Sequence, residues 1–477
     1  MINLILTALT GFLVRMFRIT ESFWHDEAIG ISIVERYSLQ EIISNYLPLD
    51  NHPPLYYLTL DIWTNIFGYS ELWIRLLSVF LGIGTIVLVY YIYQEISGKK
   101  SVLASLLLAI SPLFIYFTQE ARMYSMAAFF TSLAVLFFLR TFGKHNPWNY
   151  LWFAVGLLGM FFSDYMPVFM YPVFIIFAII RKQKWSWWKW FLLSHIPLLV
   201  FGVMWIPILL QQLSSMSQQV QVFPMWKQLV GGFSIKHILL LPIKMIVGMT
   251  NFENKNIYYG MVLVASIPYV YVLAKGLNSF KKNILIWLWL LVPPALAFFV
   301  SSVVPVFNFF RFIYILPAFA LLLAVNAKNE NFGKLNKYVI PTLLIIPSFF
   351  FVYYQTKSIT YRENWKQAVQ DVESRIKDDE MVLLEYPHTL PGYYWYSQKK
   401  DMVLPAITKF QNTKEEIDVY IPEITKNVNG IYYFEYLRDV TDPQRLVERV
   451  LLQEGFQTAD IHDGFSGVGQ VTYFKRK

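Results

Sequence analysis

Long apolar runs separated by short polar links fill most of the chain up to about residue 355. Eleven of them approach the roughly 20 residues that an α-helix needs to cross the hydrocarbon core of a bilayer. The pattern places them at about 2–18, 72–95, 101–117, 123–140, 149–163, 166–180, 190–211, 257–275, 283–301, 309–326 and 338–354. The first, third and fifth are short, which predicts tilt or local thinning of the bilayer around them. Two longer polar stretches interrupt the series, at 19–71 and at 212–256. Within them, Ala28 to Leu47 and Ile235 to Met249 carry apolar residues at helical spacing and predict short helices at the membrane surface.

Beyond about residue 356 the periodicity changes. The stretch Tyr361-Arg362-Glu363-Asn364-Trp365 opens a helix that reaches about Lys377. Alternating or apolar runs at 381–386, 402–407, 417–421 and 429–435 predict strands; a helix follows at 442–453, then strands at 456–461 and 468–475. The expected architecture is a polytopic α-helical membrane protein, with a membrane domain at 1–355 and a small soluble α/β domain at 356–477. No Gly-rich nucleotide fingerprint and no internal repeat appears.

Charge supplies the orientation. One alternate set of loops holds Lys99 and Lys100, Arg140 and Lys144, Arg181 to Lys189, Lys275 to Lys282 and Lys328 to Lys337, with Glu330 as the main acidic exception. The other set holds Asp26, Glu27, Asp50, Glu120 and Asp164. The positive-inside rule then puts the N-terminus in the cytoplasm. The acidic loops, including 19–71 and 212–256, and the C-terminal domain fall outside. Composition agrees. Only 15% of the residues are charged and 56% are apolar, against about a quarter charged in a soluble domain. The mean hydropathy is +0.42. The net charge of +8 is absorbed by the inner loops and is not a nucleic-acid footprint. The absence of cysteine excludes thiolate chemistry, disulfides and Cys-ligated metals. The N-terminus enters its apolar run at once, without a small-residue cleavage signature, and is expected to stay as a cell-membrane anchor helix.

The candidate chemistry lies on the outer side. Asp26 and Glu27, in Phe23-Trp24-His25-Asp26-Glu27-Ala28, are two adjacent carboxylates just beyond a membrane helix. They read either as an acidic helix-capping turn or as a base in a polar cavity walled by aromatic rings. In a helix or turn one of them can face the cavity while its neighbour holds an arginine or a backbone N–H. Asp50 and His52 precede Pro53 and Pro54, which fix the backbone; the segment reads as a rigid platform or as a plain turn. Gln119, Glu120, Arg122 and Tyr124 lie in a link too short to leave the membrane surface. Arg122 there suits a lipid phosphate, or pairs with Glu120. Arg311 among aromatics, and Arg75, are similar cations, unless they merely snorkel. Lys227, Lys236, Lys244 and Lys255 are further cations of the second stretch. His25 and His52 lack a full metal-ligand set, although Asp and His together could support a divalent ion; no metal or other cofactor is expected.

These motifs carry a resemblance. Trp24-His25-Asp26-Glu27-Ala28, Asn51-His52-Pro53-Pro54-Leu55-Tyr56-Tyr57, Arg75-Leu76-Leu77-Ser78 and Gln119-Glu120-Ala121-Arg122-Met123-Tyr124 come in order. Arg311-Phe312-Ile313-Tyr314 and Asn364-Trp365 complete the series. Together they resemble membrane glycosyltransferases of the GT-C superfamily. The similarity is to the group around protein O-mannosyltransferases and lipid A aminoarabinose transferases (glycosyltransferase family 39 and its relatives). It spans all eleven expected segments. It implies a GT-C fold and a sugar linked to a polyprenyl phosphate as donor. It further implies transfer with inversion to a hydroxyl on a protein, lipid or envelope glycan at the outer face. Carried onto this chain, it makes Asp26 the general base, with Glu27 and Asp50 orienting base or acceptor. His52, Arg75, Glu120, Arg122, Tyr124 and Arg311 are the implied substrate-binding set, with Arg122 and Arg311 on the departing phosphate. Two other function classes compete. A lipid-linked substrate transporter or flippase would need charges or breaks near helix midpoints and related halves. A non-catalytic envelope assembly protein would tolerate loss of Asp26.

Overall fold

The computed structural model describes residues 1–222, 231–327, 336–357, 362–386, 390–409 and 412–477. Lys227, Lys328, Glu330, Lys334 and Tyr361 of the sequence reading lie outside these residues. Two compact units emerge. One gathers Met1–Ile19, Tyr37–Met216 and the described residues between 231 and 357; the other joins Thr20–Arg36 and residues 217–222 to the described residues from 362 onward.

The first unit is helical and of multi-pass membrane type. Among the described residues five helices are long and apolar enough to cross a bilayer: Glu71–Ser97, Trp185–Gln218, Lys255–Ser279, Phe309–Ala327 and Lys337–Thr356. Ile2–Met16, Tyr124–Arg140, Met166–Ile180 and Ile284–Val300 are apolar but shorter. Length and composition by themselves thus pick out five spans among the described residues. The expected segments 101–117 and 149–163 are helical too, as Leu103–Ala109 with Pro112–Thr118 and as Pro147–Ser163. Only 11% of the apolar window of Trp185–Gln218 is buried inside the protein, and Leu199, Val203 and Met204 are exposed on it. Apolar side chains exposed at that density call for hydrocarbon around them.

Local chemistry explains where the helices depart from the hydropathy pattern. The segment 101–117 breaks because Ser111 caps a new helix, accepting from the Phe114 N–H at 3.5 Å, with Pro112 in its first turn. The break frees the Ala109 carbonyl, which the fully buried Arg15 takes up at 3.1 Å. Arg15 also donates to the Gly11 carbonyl (2.8 Å) and to Thr118 Oγ1 (2.7 Å), so its burial is matched by hydrogen bonds. The segment expected to end at 211 continues instead as Ile196–Val222, because Gln212 is buried and hydrogen-bonded rather than solvated. Tyr124–Arg140 and Pro147–Ser163 pack closely. A Cβ on Gly156 would come within 2.7 Å of the Ala134 backbone, and one on Gly159 within 2.2 Å of the Phe130 ring. Small residues that let helix backbones approach are the usual means of packing in a membrane. The expected surface helix of the second polar stretch forms over Ile235–Val247 and buries Leu241, Met245, Ile246 and Val247.

The second unit is built on a five-stranded sheet: β1 (Glu380–Leu384), β2 (Val403–Pro405), β3 (Gly430–Phe434), β4 (Phe456–His462) and β5 (Val471–Arg476). The spatial order is β2-β1-β3-β5-β4. The pairs β1–β2 and β1–β3 are parallel, with Val382 opposite Val403 and Tyr432; β3–β5 and β4–β5 are antiparallel. Both faces of β1 and β3 are covered, which is why these strands read as unbroken apolar runs. Val382, Leu384, Tyr432 and Phe434 pack with Trp365 and Val369. Met381, Leu383, Ile431 and Tyr433 pack with Ile417, Ile421, Val447 and Leu451. The run at 417–421, expected as a strand, is part of the helix Lys414–Thr425. Thr413 and Glu416 form a capping box at its start, and Ile417, Ile421 and Thr425 recur every four residues on its buried face. The expected surface helix at Ala28–Leu47 is likewise corrected. A helix runs over His25–Arg36 and turns Ala28, Ile31 and Val34 inward.

Candidate active site

The sequence candidates fall into two groups, one in each unit. In the first unit the backbone after Leu49 is extended at Asp50, and Pro54 leads into the helix Leu55–Phe67. This brings Tyr57 back onto Asp50, whose Oδ2 accepts from the Tyr57 hydroxyl at 2.8 Å. The two Asp50 oxygens face His52 Nδ1 at 3.1 and 3.2 Å, and His52 Nε2 lies 3.5 Å from Arg122 Nη2. A line Tyr57–Asp50–His52–Arg122 results. Burial pushes the Asp50 carboxyl up. The nearby His52 charge and the hydrogen bonds from His52, the Asn51 amide and Tyr57 outweigh it, and leave the group below its ordinary value.

Asp164 and Arg311 belong to the same electrostatic neighbourhood. The Asp164 carboxylate accepts from the Met166 N–H at 2.9 Å, closing the turn after Pro147–Ser163. Burial raises its proton affinity; the Met166 amide and the charges of Arg311, His52 and Arg122 pull the other way. Arg311 lies at 5.9 Å over the Phe310 ring, at the start of the short helix Phe309–Ile315. The platform is held from behind. Gln212 donates to the Leu47 and His52 carbonyls (2.8 and 2.9 Å) and accepts from the Tyr165 hydroxyl (2.6 Å), which accepts from Trp205 Nε1 (2.8 Å).

Three candidates are placed differently. Arg75 is fully buried and donates to the Ile19 carbonyl at 2.8 Å. Glu120 has no exposed surface. Tyr124 is buried and packs edge-on against Phe117 (5.1 Å) and Phe310 (5.9 Å). Lys244 is half-buried beside the rings of Tyr258 and Phe309, 5.9 Å from each centroid. Among the described residues no three His, Asp or Glu side chains come together as a metal-ligating group.

The second unit separates the adjacent carboxylates. Both lie in the first turn of His25–Arg36, where the helix dipole favours negative charge. Glu27 is fully buried, accepts from the Trp24 N–H at 3.3 Å, and has Arg362 Nη1 at 3.6 Å. Asp26 keeps part of its surface exposed. Next to it stands a third carboxylate. Glu363 accepts from the His25 N–H (2.8 Å), Trp365 Nε1 (2.7 Å) and the Tyr436 hydroxyl (2.9 Å). Burial, aided by the charge of Asp26 and opposed by these hydrogen bonds, pushes its carboxyl up to about 7.

Asp164, Gln212 and Glu363 carried no signal beyond a turn, a polar helix end and a helix start. Each depends on partners that are distant in sequence. For Glu363 the hydrogen bond to His25 spans 338 positions.

The comparisons with known proteins agree on the fold. Residues 51–210 match the family model described as dolichyl-phosphate-mannose-protein mannosyltransferase. The chain is similar to the crystal structure of ArnT from Cupriavidus metallidurans bound to undecaprenyl phosphate. The identity is 10% and the TM-score 0.62, over 99% of this chain and 97% of that one. It is also similar to the oligosaccharyltransferase of Archaeoglobus fulgidus in complex with zinc and sulfate. There the identity is 13% and the TM-score 0.53, over 98% of this chain and 72% of that one. The same archaeal enzyme, AglB, in complex with an inhibitory peptide and a dolichol-phosphate gives 12% and 0.51, over 98% and 73%. No curated protein sequence matches.

Proposed function

We propose that the chain is an inverting glycosyltransferase of the GT-C superfamily of membrane enzymes; its fold and the family model over residues 51–210 support this reading. Its donor is a sugar on a polyprenyl phosphate, and its acceptor a hydroxyl of a protein, lipid or envelope glycan at the outer face of the cell membrane. The observation that carries the assignment of the base is the unequal fate of the two carboxylates. Glu27 is sealed against Arg362, while Asp26 stays partly accessible in the same helical turn. Asp26 takes the proton of the acceptor hydroxyl as that oxygen bonds to the anomeric carbon. The bond from that carbon to the phosphate oxygen breaks, and its electron pair leaves with the polyprenyl phosphate. A single displacement of this kind inverts the anomeric centre. Arg122 and Arg311 receive the departing phosphate, and Asp50 and His52 keep Arg122 oriented. Glu27 supports the turn rather than touching substrate. The proposed topology keeps eleven crossings in a membrane domain at 1–355, the N-terminus inside, and a domain at 356–477 outside.

Two solved structures of similar fold are complexes with a lipid phosphate, undecaprenyl phosphate in one and dolichol-phosphate in the other, which supports the donor class. The test uses membranes containing the full chain, a panel of radiolabelled polyprenyl-phosphate sugars, and Asp26→Asn. Loss of a general base typically costs about 10²–10⁴-fold, so the variant should fall by at least the lower figure with donor binding retained. Full transfer by Asp26→Asn would remove the base. Failure of the wild type with every donor would favour a transporter or an assembly partner.

A further inference from the structure

The strands β1, β2 and β3 run parallel, and their connections part between β1 and β3. The chain leaves β1 toward β2 on one side, and leaves β3 toward β4 on the other. In open α/β sheets, the crevice beyond the carboxyl ends of two such strands is where ligands bind. Here the chain fills it itself. Tyr386 follows the end of β1 and Tyr436 the end of β3, and the His25 ring lies against both, at 5.4 and 5.7 Å. Glu363 stands beside this sandwich and gathers the His25 N–H, the Trp365 indole and the Tyr436 hydroxyl. The first N–H groups of a helix have no partner within it, so a carboxylate holding one of them fixes the entry of the helix.

Glu363 is itself immobilised. The Asn364 N–H donates to the Ser466 carbonyl at 2.8 Å. Gly467, at φ +71°, lies so close that a Cβ there would approach Glu363 Cγ to 2.8 Å. Trp365 is fully buried and packs edge-on against Tyr436 at 4.9 Å. The seat of the His25–Arg36 helix is therefore built by four segments of the C-terminal domain, from the ends of β1 and β3, the turn before β5, and the Glu363–Trp365 entry.

We propose that Glu363 is a positioning residue for the transfer reaction, acting through the His25 amide to fix the direction of the neighbouring Asp26 carboxylate. The proposal rests on Asp26 being the base. On the ionised carboxylate all three groups donate; a proton on Glu363 reverses the Tyr436 hydrogen bond, so that the carboxyl donates and the hydroxyl accepts, and so changes the hold on the turn that carries Asp26. The groups acting on it are Trp365, His25, Tyr436 and Asp26, with Tyr386 against the His25 ring and the ion pair Glu27–Arg362 in the same helical turn as Asp26. The wild type should therefore show an inflection in its rate near neutral pH, with activity rising as Glu363 ionises.

The experiment compares the full-length wild type, Glu363→Gln, Tyr436→Phe and Asp26→Asn in the polyprenyl-phosphate-sugar transfer assay across pH 5–9. We expect Glu363→Gln to lower kcat about tenfold with donor KM unchanged, and to lose the near-neutral inflection. Tyr436→Phe removes one donor but keeps the ring, and should lower kcat by a smaller factor in the same way. It carries the test alone if Glu363→Gln does not accumulate. A variant that is only unstable would lose active protein without changing the pH profile. Wild-type kcat and an unchanged profile in the variants, with Asp26→Asn inactive, would overturn the positioning role and leave the base in place. Full activity of Asp26→Asn would overturn the base itself.

Discussion

Buried and half-buried carboxylates decide much of what single residues contribute here, and each is matched differently. Glu27 meets an arginine, Asp50 meets a histidine and a tyrosine, and Glu363 meets three neutral donors. Glu385, fully buried after β1, accepts from Tyr433 and lies near Asp442 and Arg438. Burial is the largest influence on it and pushes its carboxyl up to about 8. The consequence for stability has a definite sign. Between the ordinary value of 4.5 and about 8 the folded state holds a proton that the unfolded state has released. Stability must therefore fall as pH rises through that window. Glu363, raised to about 7, adds to the fall in the same direction. In Glu385→Gln the amide oxygen still accepts from Tyr433 and nothing titrates. Thermal unfolding of the full chain at pH 5 and pH 8.5 should show a smaller loss of Tm for this variant than for the wild type. An equal loss would rule out Glu385 as the source.

At the scale of elements, close backbone approach governs the helical unit. The helices Tyr124–Arg140 and Pro147–Ser163 meet where Gly156 faces the Ala134 backbone. Gly156→Leu would put four carbons where there is no room for one, and backbone cannot yield as a flexible side chain does. Overpacking of a tight core costs about 1–3 kcal/mol, and a lower Tm in micelles with transfer activity reduced in proportion to folded protein is the expected result. An unchanged Tm would mean that the two helices can part without cost. Other elements show why a hydropathy pattern was only part of the answer. It found the apolar runs, yet Ser111-Pro112 divides one of them because a cap and a missing N–H start a new helix inside it. The run at 417–421 looked like a strand because Ile417, Val419 and Ile421 alternate. The Thr413–Glu416 capping box, four residues earlier, decides for the helix.

The whole molecule combines a multi-pass membrane-type unit with a sheet-based unit that also owns residues 20–36. This ownership matters for any separation of the two. Cutting the chain at 355 would leave the Asp26 helix without its Glu363–Tyr386–Tyr436 seat. The topology proposed for the whole is testable because the chain contains no cysteine. Lys184→Cys and Lys414→Cys each introduce a single thiol, both at exposed positions. In intact cells a membrane-impermeant maleimide should label the cysteine at 414 and spare the one at 184, which should react only after lysis. The opposite pattern would invert the orientation, and labelling of both would break the count of crossings between them.

The sequence by itself determined the class of environment and the chemical vocabulary. Apolar runs long enough for a bilayer, scarce charge, and acids, arginines and prolines at the polar links are all properties of neighbours along the chain. They named Asp26, Glu27, Asp50, His52, Arg122 and Arg311 and the two-part architecture. Tertiary structure alone decided which of these face one another. It set Asp50 and His52 against Tyr57 and Arg122, with Asp164 and Arg311 in the same field. It also buried Arg75 against a backbone carbonyl, and brought Glu363 across 338 positions to the turn of Asp26. The physical reason is that burial and charge pairing depend on distance through space, whereas a hydrophobic pattern records only distance along the chain. Whether a carboxylate is sealed, as Glu27 is, or partly accessible, as Asp26 is, can differ between adjacent residues of one helical turn.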